Sequence, residues 1–135
     1  MTLYVSWGGS GTTDSLRNAA QQAHDSDTAL VYLGIVDDQT FGDVDGATME
    51  MLLEELDFLL RTQLVGVTRQ IGAPDLATSV EIRRGSVSDA IRGVSAKMGV
   101  KSALIGGPLP SSHEADRDSA VAELSQSSGV QLTLV

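Results

Sequence analysis

Thr28-Ala29-Leu30-Val31-Tyr32-Leu33-Gly34-Ile35-Val36 is the stretch on which the fold turns. It is apolar nearly throughout, too short for a free-standing helix, and rich in β-branched and aromatic side chains. A strand with one wet face alternates apolar and polar residues; this one does not. It reads as a strand covered on both faces, the condition of a parallel sheet with helices above and below it.

The flanking sequence agrees. Upstream, Leu3-Tyr4-Val5-Ser6-Trp7 is a second short strand, halted by Gly8-Gly9-Ser10-Gly11. Thr12, Thr13 and Asp14 then supply N-cap chemistry, and Leu16, Ala19, Ala20 and Ala23 recur at helical spacing over about residues 13–24. Downstream, the polar run Asp37 to Asp45 reads as a loop. A long helix follows, with Met49, Leu52, Leu53, Leu56, Leu59, Leu60, Leu64, Val67 and Ile71 as one stripe packed on the sheet, ended by Gly72-Ala73-Pro74. Ser79 to Arg83 is a third strand, closed by Gly85. Ser86 or Ser88 caps a helix bearing Val87, Ile91, Val94 and Met98, which Gly99 terminates. Lys101 to Ile105 is a fourth strand that runs into Gly106-Gly107-Pro108. After a helix at about 115–127 and Gly129, Gln131 to Val135 forms the last strand. The order βαβαβαβαβ, with crossovers of this length, predicts an α/β domain with a parallel sheet and right-handed connections. Residues 1–135 read as one domain, without repeats, low-complexity tracts or linkers.

Composition narrows the function. The chain carries a net charge of −9 and no cysteine. Disulfides, thiolate metal sites and cysteine nucleophiles are excluded, and an acidic surface repels nucleic-acid backbones. Asp outnumbers Glu twelve to six and Arg outnumbers Lys seven to two. Short hydrated carboxylates with few lysines suit concentrated salt, where their mutual repulsion is screened, so a halophilic protein is expected. No run approaches the ~18 apolar residues of a membrane span, and no signal peptide is visible; the expected location is the cytoplasm.

Ligands of doubly wound sheets sit outside the carboxyl ends of the strands. Three segments lie there: residues 6–14, 34–45 and 105–112. The first matches neither the P-loop, for want of a lysine, nor G-x-G-x-x-G, and reads as a strand-to-helix turn. Ser10 is not a nucleophile elbow, because Thr12 stands where the second glycine belongs, and neither His24 nor His113 is placed as its base. Asp37, Asp38, Asp43 and Asp45 lack the spacing of a calcium loop and read as solvated loop carboxylates. No catalytic residue and no metal site is expected.

Taken in order, these segments resemble the universal stress protein family over the whole chain. Gly8-Gly9-Ser10 stands where the family usually has Asp-Gly-Ser. Leu33-Gly34-Ile35-Val36-Asp37 is similar to the end of its second strand, and Gly85-Ser86-Val87-Ser88-Asp89-Ala90-Ile91 to the start of its third-strand helix. Ala103-Leu104-Ile105-Gly106 resembles its fourth strand and Gly129 to Val135 its closing strand. The resemblance implies an adenine nucleotide alpha hydrolase-like fold: an open five-stranded parallel sheet, order 3-2-1-4-5, with helices on both faces, and a homodimer. The uncharged apolar edge strand Gln131–Val135 fits such a dimer, since pairing across a two-fold axis would cover it. ATP-binding members of the family carry G-x2-G-x9-G-[ST] after the fourth strand. Here Gly106 matches its first position, while Leu109, Ser119 and Ala120 replace the rest. The adenine-side aspartate falls on Gly8 or Trp7, and Ile35 matches an aliphatic adenine contact. The resemblance therefore implies a non-catalytic stress-response or regulatory dimer of the non-ATP-binding class. The alternative is a nucleotide or small-anion switch with a weakly held ligand in a degenerate pocket of Gly8, Gly9, Ser10, Ile35, Gly106, Gly107 and Ser119.

Overall fold

The computed structural model describes residues 1–6, 13–36, 45–106 and 114–135. Their elements are β1 (Thr2–Ser6), α1 (Thr13–Asp25), β2 (Leu30–Val36), α2 (Gly46–Gln70), β3 (Thr78–Arg84), α3 (Val87–Met98), β4 (Ser102–Gly106), α4 (Glu114–Ser128) and β5 (Gln131–Leu134). The five strands form one sheet in the order β3-β2-β1-β4-β5, and every neighbouring pair is parallel. The α/β architecture expected from the sequence is the architecture found.

Strand alternation divides the core into two layers. Leu3, Val5, Val31, Leu33, Ala103, Ile105 and Leu132 face α3 and α4, where they meet Ile91, Val94, Val121 and Leu124. Tyr4, Leu30 and Tyr32 face α1 and α2, where they meet Leu16, Ala19, Ala20, Ala23, Leu60, Leu64 and Val67. The central strands thus bury both faces, as the unalternating run at 30–36 requires.

Local chemistry sets the ends. Ser86, not Ser88, caps α3, its side chain accepting from Asp89 N at 3.3 Å, and Gly99 closes the helix in the left-handed region at φ 71°. Asp45 caps α2 by accepting from Thr48 N at 2.8 Å. No described helix is long and apolar enough to cross a membrane.

One expectation fails on α2. Met49, Leu60, Leu64 and Val67 are buried, but Leu59 is 50% exposed and leaves the expected stripe. Met51, Phe58 and Val65 also point outward. A run of leucines this dense makes more than one helix face apolar, so spacing alone does not separate the packed side from the outer one.

Ile91 is fully buried, and Ile91→Ala should cost about 2–5 kcal/mol of unfolding free energy by denaturant titration. Phe58→Ala, at a residue 73% exposed, should stay within about 0.5 kcal/mol of the parent when both are measured at protein concentrations too low for self-association. A large loss at Phe58 under that condition would place it in the core.

Candidate functional site

The carboxyl ends of β1, β2 and β4 carry the site. Register places Ser6 between two glycines, opposite Gly34 on β2 and Gly106 on β4. One step earlier, Tyr4 lies between Tyr32 and Leu104. A row of small residues therefore sits just beyond a row of large ones, on the face covered by α1 and α2.

The small row lets the helices descend. A Cβ on Gly106 would lie 2.6 Å from Ser15 Cβ and 2.7 Å from the Tyr4 hydroxyl. A Cβ on Gly34 would lie 2.7 Å from Leu60 Cδ1. At Gly106 the atom met is a Cβ fixed to the helix backbone, so the missing side chain is what admits α1 and the tyrosine hydroxyl, whereas at Gly34 the leucine tip can turn aside. Ser15 Oγ donates to the Val135 carbonyl at 2.9 Å, tying α1 to the end of β5.

Four hydroxyls converge on this row. The Tyr4 and Tyr32 rings meet edge to face, centroids 5.2 Å apart. Tyr32 donates to Gln63 Oε1 on α2 at 3.1 Å. The Tyr4 hydroxyl and Ser6 Oγ are buried without a hydrogen-bond partner. Burial pushes both phenols above the ordinary tyrosine value, and Tyr32 raises Tyr4 further. Ser15 Oγ, which donates to the Val135 carbonyl, lies beside the Tyr4 phenol, and Ser6 Oγ lies beside the Tyr32 phenol, each partly offsetting the rise in its tyrosine's pKa. Nothing in local sequence marks this cluster. Its signal is non-local: two strands each carry a tyrosine two residues before a small residue, and the register sets them side by side.

The expected pocket residues distribute as follows. Gly106 is buried at the end of β4, its open side filled by Ser15 and Tyr4. Ile35 is half-buried and packs on the opposite, α3–α4 core. Ser119 is exposed on α4. Gly8, Gly9, Ser10 and Gly107 lie outside the described residues, as do Asp37, Asp38, Asp43 and His113. His24 is exposed. Asp45 is a helix cap rather than a loop carboxylate; the Thr48 amide and hydroxyl it accepts from hold its carboxyl below the ordinary value. A cleft of about 450 Å³ beside His24, Asp27 and Asp75 lies at the amino ends of the strands, away from the end where such sheets bind ligands. Among the described residues, no group of three or more His, Asp or Glu is placed to hold a metal ion.

No protein-family model and no curated protein sequence matches the chain. Solved structures do. A universal stress protein family member from Burkholderia pseudomallei superposes with a TM-score of 0.63 at 16% identity, covering 99% of this chain and 95% of that one. The universal stress protein UspA from Lactobacillus plantarum gives 0.58 at 20% identity, covering 99% and 97%. A universal stress protein in complex with cAMP gives 0.63 at 19%, covering 100% and 96%. This chain has the universal stress protein fold. In each comparison the similarity runs nearly the full length of both chains.

Two predictions follow from the geometry. Gly106→Ala should lower unfolding free energy by about 1–3 kcal/mol, because backbone or helix must shift to admit the methyl group. Gly93→Ala, mid-helix with open space around it, should raise it by about 0.5–1 kcal/mol. Equal effects at the two sites would remove the packing argument. Raised phenol values also carry a sign. The unfolded chain loses its tyrosine protons first, so stability should be flat through neutral pH and fall above about pH 10, by at most about 1.4 kcal/mol per pH unit for each phenol. Stability curves of Tyr4→Phe and Tyr32→Phe should each lose part of that slope.

Proposed function

We propose that this chain is a universal stress protein of the non-ATP-binding kind, a non-catalytic homodimer that acts in stress response or regulation. The observation that carries the reading is the surroundings of Gly106. In the ATP-binding motif this glycine opens a flexible phosphate loop; here its open side is filled by Ser15 and the Tyr4 hydroxyl. The remaining motif positions support the same reading: Leu109 and Ala120 offer neither the backbone freedom of glycine nor a hydroxyl, and Ser119 replaces the third glycine.

The dimer reading rests on the two sheet edges. β3 carries Glu81, Arg83 and Arg84 along its length, which discourages strand pairing, whereas Gln131–Val135 carries no charged side chain. Leu132 N already donates to Ser125 Oγ at 3.1 Å, so pairing between β5 strands would centre on Leu134.

A second reading keeps a ligand. Two buried hydroxyls without partners, on Tyr4 and Ser6, stand at the carboxyl end where a nucleotide or small anion would enter. One similar structure is a complex with cAMP, which makes that nucleotide a probe to include.

Calorimetric and thermal-shift titration in molar salt with ATP, ADP, AMP and cAMP, with and without Mg²⁺, separates the two. The expected result is no saturable binding of ATP and no rise in Tm with its concentration. Saturable binding of any of the four would favour the ligand switch instead. For the dimer, Leu134→Pro should halve the mass seen by light scattering, because it removes an outward amide at the edge.

A further inference from the structure

The outer face of α2 is the least expected surface of this molecule. Among the described residues, the exposed large hydrophobic side chains are Met1, Met51, Phe58, Leu59 and Val65, and all but the first lie on this one helix. Met51, Phe58 and Val65 are spaced seven residues apart, two helical turns each, so they line up along one side as the seam of a paired helix does. They are not covered by the sheet or by a neighbouring helix: Met51 is 62%, Phe58 73% and Val65 51% exposed.

Charge says what covers them. The amino half of α2, up to Asp57, holds Glu50, Glu54, Glu55 and Asp57 and no basic residue. The carboxyl half holds Arg61 and Arg69 and no acidic residue. Such a helix repels a parallel copy of itself and attracts an antiparallel one. An antiparallel pair centred on Phe58 sets Met51 of one copy level with Val65 of the other. It also brings Glu54 and Glu55 of one copy within reach of Arg61 of the other, on both sides of the two-fold axis. An anionic membrane fits poorly, because the apolar stripe is flanked by carboxylates.

We propose that the outward stripe of α2 docks on the same stripe of a second copy of this chain, antiparallel about Phe58. This interface is separate from β5. Helix α2 packs over β2 and β3, at the other side of the sheet, so the two surfaces act independently, and both together would build a tetramer.

The chain has no cysteine, which makes the test direct. Phe58→Cys lies on the proposed axis and should form a disulfide-linked dimer with its own copy under mild oxidation. It should do so about tenfold faster than Gln21→Cys, an exposed control on α1, because a standing contact raises the local thiol concentration. Phe58→Asp, at an exposed position, should keep the far-ultraviolet circular dichroism of the parent and lose one step of association by light scattering. Arg61→Glu should weaken association about tenfold at low salt, and adding Glu54→Arg and Glu55→Arg should restore it. Leu134→Pro should leave the Phe58→Cys disulfide rate unchanged, so strand pairing and helix pairing are read separately. Crosslinking no faster than the Gln21→Cys control, or an unchanged mass for folded Phe58→Asp, would overturn the proposal.

Discussion

The close approach of α1 to the carboxyl end of β4 governs this end of the molecule. Ser15 Cβ stands 2.6 Å from where a Gly106 Cβ would be, so any larger residue there lifts the helix off the sheet. Dispersion contacts weaken steeply with even a fraction of an ångström of separation, and a lifted helix would loosen Leu16, Ala19, Ala20 and Ala23 together. Gly34 under α2 is a looser case, since a Cβ there meets only the tip of the Leu60 side chain. The Tyr4 ring depends on Gly106, because its hydroxyl occupies the position that this glycine leaves open.

That constraint changes how a glycine after the fourth strand should be interpreted. In sequence, Gly106 matches the first position of the phosphate-binding motif of the family that the chain resembles. In three dimensions it has a sufficient packing reason to be glycine. The buried hydroxyls of Tyr4 and Ser6 pull the other way, because a hydroxyl left without a partner costs about 1–3 kcal/mol. The Tyr4 hydroxyl that fills the space beside Gly106 is itself one of those two oxygens, and Ser6, which carries the other, is the register partner of the same glycine.

The fold was legible because its determinants are local. An unalternating strand, helical stripes at 3.6-residue spacing, Ser86 before α3 and Gly99 after it each act within a few residues of themselves. The site was only partly legible because its determinants are pairings. No local pattern announces that Ser6 lies between Gly34 and Gly106, or that Tyr4 and Tyr32 meet edge to face. Asp45 illustrates the middle ground. As one of four loop aspartates it looked like solvated charge, whereas the Thr48 amide three residues on makes it a cap. The α2 leucines failed for another reason: periodicity locates an apolar face only when the other faces are polar, and Leu52, Leu53, Leu59 and Leu60 lie on several.

In a chain of net charge −9, long-range repulsion opposes self-association at low ionic strength. Salt screens that repulsion within about 10 Å at 0.1 M and about 3 Å at 1 M, while apolar burial is undiminished. The two surfaces singled out above, an uncharged strand edge and a helix stripe of methionine, phenylalanine and valine, are the kind that survive such screening. The Glu54, Glu55 and Arg61 contacts around the stripe would then set orientation more than strength, because fixing an antiparallel register needs only a difference between the right and wrong arrangements. On the proposed assembly, the acidic exterior would keep the chain dispersed while the two uncharged surfaces set into it supplied the contacts between copies.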